Sequence, residues 1–135
     1  MKNIFTKTKQ IGDFGEDAAA KYLKKNGYNI LERNYRASYN EIDIIAEDKS
    51  FIVFTEVKSR TANKGSPSRF GRPARAVDQG KKRHTVSAAR TYLHSNPTDK
   101  QVRMDVIEVY LEKDADGNRK VTDIIHIRNA YGVQK

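Results

Sequence analysis

The sequence predicts an α/β fold in which a mixed sheet is flanked by helices, and three observations predict it. Two stretches, Lys7–Asn26 and Ala74–Asn96, carry apolar residues at helical steps of three and four. Between them, Tyr28–Arg36, Glu41–Ala46 and Phe51–Lys58 are short runs rich in the β-branched and aromatic residues that strands prefer. Two more such runs, Val102–Leu111 and Val121–Ile127, follow the second helix. Helix, three strands, helix, strand, strand is an order that buries both faces of a sheet under helices.

Composition bounds the rest. A length of 135 residues suits one domain spanning 1–135 with an adequate core. Hydrophobic residues make up 37% and charged ones 32%, which is globular rather than disordered. There is no cysteine, so disulfides and thiolate zinc sites are excluded. No apolar run reaches the length of a membrane span, and the basic start Met1–Lys7 is too short to target anything. A soluble, cytoplasmic protein without a membrane partner is expected.

In the first helix Ile11, Phe14, Ala18 and Tyr22 form one apolar stripe, with Glu16 at its border on the side of Ala19 and Leu23. Asn26-Gly27 ends it, glycine being suited to the left-handed cap. The first strand offers Tyr28, Ile30, Leu31 and Tyr35 as apolar content, while Arg33 and Arg36 read as surface charges. Next comes a hairpin, Glu41–Ala46 and Phe51–Lys58, joined by a tight turn at Glu47–Ser50. Glu41 and Asp43 are two apart and project from one side of the pleat, as do Glu56 and Lys58. Pairing of the two strands brings Asp43 to Glu56 and Lys58. Ile44-Ile45 and Phe51–Phe54 are continuous apolar runs, as in strands covered on both faces. Charges at the end of such strands are costly to desolvate unless they are paired or bind an ion. Two carboxylates and an ammonium at one strand end make a candidate divalent-metal site; a solvated cross-face pair is the alternative on the tripeptide alone.

The net charge of +9 is concentrated. Between Val57 and Arg90 lie ten bases against the single acid Asp78, and the rest of the chain is neutral. That segment points to a polyanionic partner, nucleic acid ahead of a membrane because no strong apolar face accompanies the charge. Its first part, the loop 61–73, mixes Gly, Ser and Pro with Lys64, Arg69 and Arg72 and is expected to be mobile, a flap over a phosphate backbone or an ordinary surface loop. The second helix contributes Ala88, Ala89, Tyr92 and Leu93 to the core and stops before Pro97, with Gln79, Arg83 and Arg90 on a polar, basic side. In the fourth strand Val102, Met104, Val106 and Glu108 share one face, and Arg103 and Asp105 on the other read as a structural salt bridge. His84, His94 and His126 are scattered and read as surface or packed histidines, and residues 129–135 as a tail.

Asp43, a spacer of twelve residues and Glu56-Val57-Lys58 resemble the D-x(n)-(D/E)-x-K signature of the PD-(D/E)XK nucleases, with the Holliday-junction-resolvase type the nearest in element order. More narrowly, Gly15-Glu16-x-Ala18-Ala19, Asn40–Ala46 and Phe54-x-Glu56-Val57-Lys58-x-Arg60 resemble the YraN-like family of uncharacterised bacterial proteins, a likeness running from about Gly12 to about Val109. Asn40, where that family has glycine, is expected to take left-handed turn geometry. The resemblance implies a restriction-endonuclease-like αβββαβ core, Mg²⁺ or Mn²⁺ held by Asp43, Glu56 and Glu16, and catalysis by these three with Lys58. Arg60, Lys64, Arg69, Arg72, Arg75, Lys81, Lys82 and Arg83 are then the nucleic-acid-binding set, with Glu41 and Gln79 as auxiliaries; Gln79 followed by Lys82 is similar to a glutamine–lysine motif of some relatives.

The expected activity is metal-dependent hydrolysis of nucleic-acid phosphodiester bonds, DNA ranking ahead of RNA and branched or structured DNA within it. A non-catalytic nucleic-acid-binding module of the same fold stays open beside it, as does a protein-interaction module that docks an acidic partner through the basic loop. Junction resolution would call for a symmetric homodimer.

Overall fold

The computed structural model describes residues 4–61 and 79–132. Helix α1 (Ile4–Lys25) leads into strands β1 (Asn29–Ala37), β2 (Asn40–Glu47) and β3 (Phe51–Thr61). Helix α2 (Gln79–Ser95) is followed by β4 (Gln101–Lys113) and β5 (Arg119–Tyr131). The five strands form one sheet in sequence order, β1-β2-β3-β4-β5. All neighbours run antiparallel except β3 and β4, whose parallel pairing is spanned by α2. The architecture is a mixed sheet flanked by helices with an αβββαβ-type core.

Each helix covers one face. Ala19, Ala20 and Leu23 of α1 pack on Ile44, Ala46, Val53, Ile107 and Val109. Ala88, Ala89 and Tyr92 of α2 pack on Ile42, Ile45, Ile52, Phe54 and Met104. Burial on both sides is why the central strands are nearly continuous apolar runs. The turn between β2 and β3 is closed by Asp48, whose Oδ1 accepts from the backbone N–H groups of Ser50 and Phe51. Helix α1 ends at Gly27 with φ 91°, and the Tyr28 N–H returns to the Leu23 carbonyl, the left-handed cap expected of Asn-Gly.

Three expectations are corrected. The face that α1 buries is rotated from the Phe14–Ala18–Tyr22 stripe: Phe14 is largely exposed, Ala18 and Tyr22 are only partly buried, and Glu16 lies inside the buried face rather than at its border. The cause is close approach. A Cβ on Gly15 would meet the Ser59 Oγ at 1.9 Å and the Ser59 Cβ at 3.2 Å, so the helix sits on the sheet through its smallest residues. We expect Gly15→Val to lower stability by about 1–3 kcal/mol, read by urea unfolding, because the added bulk must push α1 off β3. Second, the left-handed residue of the β1–β2 turn is Ser38 (φ 58°), and Asn40 is already an ordinary strand residue paired with Ala37. Third, Asn129–Tyr131 is not tail: β5 continues through it, and Tyr131 pairs with Met104. The expected start of α2 at Ala74 lies outside the described residues, which take up the helix at Gln79.

Candidate active site

The site is built where the sheet forks. Strands β2 and β3 pair from Glu47↔Ile52 to Ile44↔Thr55. Beyond that rung β2 stays with β1, while β3 stays with β4 to Thr61. Alternation in β2 breaks at the same level, since Ile44 packs toward α1 and Ile42 toward α2 although they are two residues apart. Opposite, between the rungs Arg33↔Ile44 and Tyr35↔Ile42, Asn34 takes φ 54°. Asp43 therefore stands at the crotch of the fork. Its Oδ2 accepts the Val57 N–H at 2.8 Å, a side chain replacing the lost ladder carbonyl.

Two hollows open on either side of Asp43. The first, about 480 Å³, lies toward α2 and is lined by Asp43, Glu56, Glu41, Tyr39, His84 and Thr85 among others. The second, about 580 Å³, lies toward α1 and is lined by Asp43, Glu41, Glu16, Asp13 and Arg36, with Val57 and Ser59. Glu56 is buried, next in register to Asp43 and on the α2 side. Lys58 is half-buried and stands beside Glu108 of β4 in the parallel register. The structure thus places Asp43, Glu56 and Lys58 beyond the last β2–β3 rung, where the two strands part, with Lys58 outside the lining of both hollows.

Glu16 reaches the same end of the sheet from α1, in the second hollow rather than the first. Its Oε1 accepts from Arg33 Nε and Asn34 Nδ2, each at 3.0 Å. Burial pushes its carboxyl above the ordinary value, against these two bonds, which pull it down. Arg33 also holds Asp17 at 2.7 Å. Among the described residues no three acidic or histidine side chains are gathered closely enough to hold a metal ion by themselves. The three-carboxylate set of Asp43, Glu56 and Glu16 is therefore not preassembled.

The basic surface is placed in part. Lys82, Arg83 and Arg90 line a groove of about 600 Å³ along α2, with Val86, Ser87 and Tyr131. Arg60 is turned inward: its guanidinium lies 3.3 Å from the buried Glu108 carboxylate, which also accepts from the Tyr110 hydroxyl at 2.9 Å. Its charge is matched inside the fold, which counts against a phosphate role. Glu41 is paired with Arg36 at 2.9 Å. Lys64, Arg69, Arg72 and Arg75 lie outside the described residues, as do the side chains of Gln79 and Lys81.

Two residues, one in the first hollow and one in the basic groove, escaped sequence reasoning. His84, half of a scattered pair of histidines on α2, lines the cavity that holds Asp43 and Glu56. Tyr131 lines the basic groove with its ring, under Lys82 Nζ at 5.6 Å from the centroid. Burial pushes the Tyr131 hydroxyl up to about 12; the Glu56 and Asp43 carboxylates add to this, and a hydrogen bond with Thr85 opposes it. Tyr131 stays protonated at neutral pH, and it lines the basic groove within electrostatic reach of the acid pair.

Residues 15–109 match the model of an uncharacterised protein family, UPF0102. The chain belongs to the UPF0102 family. A UPF0102 protein of Caldanaerobacter subterraneus subsp. tengcongensis is 44% identical over 132 residues, covering 97% of this chain and 100% of that protein. Another, from Chlorobium chlorochromatii, is 41% identical over 128 residues and 95% of each chain. A third, from Clostridium perfringens, is 45% identical over 108 residues, 79% of this chain and 84% of the other. The stretch matched by the UPF0102 model runs from Gly15, where α1 meets Ser59, to Val109 in β4. It contains both sides of the fork and the whole of α2.

Proposed function

We propose that this UPF0102 protein is a metal-dependent phosphodiesterase acting on nucleic acid, with a PD-(D/E)XK-type site. The observation that carries the reading is the fork: Asp43 and Glu56 follow the last rung that pairs β2 with β3, at the point where the strands part, beside an open cavity. Mg²⁺ takes one or two carboxylates and completes its shell with water and substrate phosphate, so this donor pair fits it. Asp43 and Glu56 would hold the ion, and Glu16, fixed by Arg33 and Asn34, would order the far side of Asp43. When bound, the ion would supply Lewis acidity and a lowered water pKa.

The chain's own residues divide the remaining work. Lys58 would offset charge growing on the phosphoryl oxygens. The Val57 N–H holds the Asp43 carboxylate in one orientation. The groove of Lys82, Arg83 and Arg90 would hold the polyanion beside the acid pair, whose own charge would otherwise repel it. The test uses labelled linear, flapped and four-way DNA with Mg²⁺ or Mn²⁺, and binding measured against salt. Cleavage that needs the metal is expected, with affinity falling steeply as salt rises.

One observation favours a second reading, a nucleic-acid-binding module that does not cut: the absence, among the described residues, of a three-ligand metal group. Steep salt dependence with no cleavage under either metal would select it. Salt-independent behaviour with no binding would exclude both.

A further inference from the structure

The β1–β2 hairpin turns in two residues, Ser38 and Tyr39, between the paired Ala37 and Asn40. Only the first of the two has positive φ, the pattern of a type II′ turn, whose twist matches that of its strands. So tight a turn leaves no slack for its side chains to fold back onto the sheet. Tyr39 is 101% exposed, far beyond the next exposed large hydrophobics, Phe14 at 39% and Val121 at 37%. Tyr39 nevertheless stands among the residues lining the cavity that holds Asp43 and Glu56. An aromatic ring in water contributes no packing to the fold, so nothing among the described residues accounts for its place. What it offers is a flat π-face on a short, firm stalk beside the acid pair.

The neighbourhood narrows what that face meets. Asn40 and Glu41 line the same rim and Arg36 pairs with Glu41, so among the described residues Tyr39 stands in polar surroundings rather than in an apolar patch that a lipid or a protein core would cover. The chain carries +9 overall, which selects a polyanion. We propose that Tyr39 stacks on an unpaired nucleobase next to the phosphate presented to Asp43 and Glu56, an inference that rests on the nucleic-acid reading above. Bases inside an intact duplex already cover one another's faces, whereas single strands, flaps and junctions present a free one. The substrate class is thereby single-stranded or branched nucleic acid, and blunt duplex is disfavoured.

The chain contains no tryptophan, so Tyr39→Trp installs a single indole reporter at this rim. Labelled oligothymidylate and a blunt duplex of equal charge would be titrated, with EDTA present to prevent cleavage, reading label anisotropy for binding and indole fluorescence for stacking. Oligothymidylate is expected to quench the indole and the duplex to leave it bright. Tyr39→Ala should weaken single-strand binding roughly five- to a hundredfold, Tyr39→Phe should leave it near wild type, and duplex affinity should be unchanged. The side chain is fully exposed, so the variants should melt with the parent protein, which a thermal scan checks. Binding without quenching, equal quenching by the duplex, or an unaffected Tyr39→Ala would overturn the stacking role and leave the nucleic-acid reading standing. Failure of the unaltered protein to bind either probe would overturn that reading, and Tyr39's role with it.

Discussion

Glu56→Gln is expected to slow metal-dependent cleavage by about a hundredfold or more, a loss of about 2.7 kcal/mol in transition-state stabilisation. The change keeps the shape of a buried side chain and removes its charge, so the strand register around Thr55 and Val57 is not asked to move. Without metal the same change should tighten nucleic-acid binding slightly, because one of the acids facing the phosphate is gone. Lys58→Ala should match the loss in rate while weakening binding, since it removes a cation. Opposite signs on affinity with the same sign on rate is a signature that general unfolding does not produce. Cleavage under Mg²⁺, anisotropy in EDTA and a thermal scan on each variant read it out. The double variant should be little slower than either single one if the two groups act on the same transition state. Cleavage at the parental rate by Glu56→Gln would remove the acid pair from the chemistry.

What could be read without coordinates followed from local pattern. The hairpin, the meeting of Asp43 with the Glu56 strand end, the core side of α2 and the two faces of β4 all rest on periodicities of two or 3.6, and all are present in the fold. The Arg103–Asp105 pair was legible for the same reason, two residues apart on one face. What was not legible depended on distant partners. The face of α1 was assigned from its bulkiest residues, but contact with the sheet is made by Gly15 and Ala19, because Ser59, forty-four residues away, leaves no room for more. Tyr131 reads as tail because an edge strand needs no apolar alternation, and its pairing with Met104 has no local signature. The fork itself is a break of alternation: strict period two puts Ile42 and Ile44 on one face, and the fold puts them on two. The candidate site thus lies where the simple pattern fails, as expected where function competes with regular structure.

Asp105→Asn is expected to be the most destabilising of these changes, by about 3–5 kcal/mol, because it breaks a buried charge pair and leaves the other partner behind. Asp105 is fully buried and accepts from Arg103 Nε at 2.9 Å and Nη2 at 2.8 Å, from the Asn129 N–H at 2.9 Å, and from His126 Nε2 at 2.6 Å. A carboxylate only accepts, so Nε2 donates to it, and His126 Nδ1 shares a hydrogen bond with the Tyr22 hydroxyl at 3.1 Å. Arg103 is itself buried, donates to the Tyr28 hydroxyl at 2.6 Å and lies over the Phe51 ring at 4.9 Å. One acid therefore ties β4, β5 and α1 together.

Burial alone would raise the Asp105 carboxyl, but the hydrogen bonds from His126, Arg103 and Asn129 more than offset it and hold the group below the ordinary range. The stability it confers is then present above the unfolded-state value of about 4 and is lost as pH falls through the lower folded value. The gap between the parent protein and Asp105→Asn should be full at pH 7 and narrow below about pH 4. Glu16, whose carboxyl is raised by burial, works in the opposite direction, so Glu16→Gln should steepen the parent's acid loss rather than flatten it. Urea unfolding at several pH values tests both signs; a gap that stays constant with pH would mean that Asp105 contributes through shape and not through charge. The network lies on the α1 face of the sheet, away from the cavity beside α2. At a temperature where Asp105→Asn remains folded, it should cleave as the parent does, whereas Glu56→Gln should melt as the parent does and fail to cleave. That crossed result would separate the Asp105 network, which holds the fold, from the acid pair, to which the chemistry is assigned.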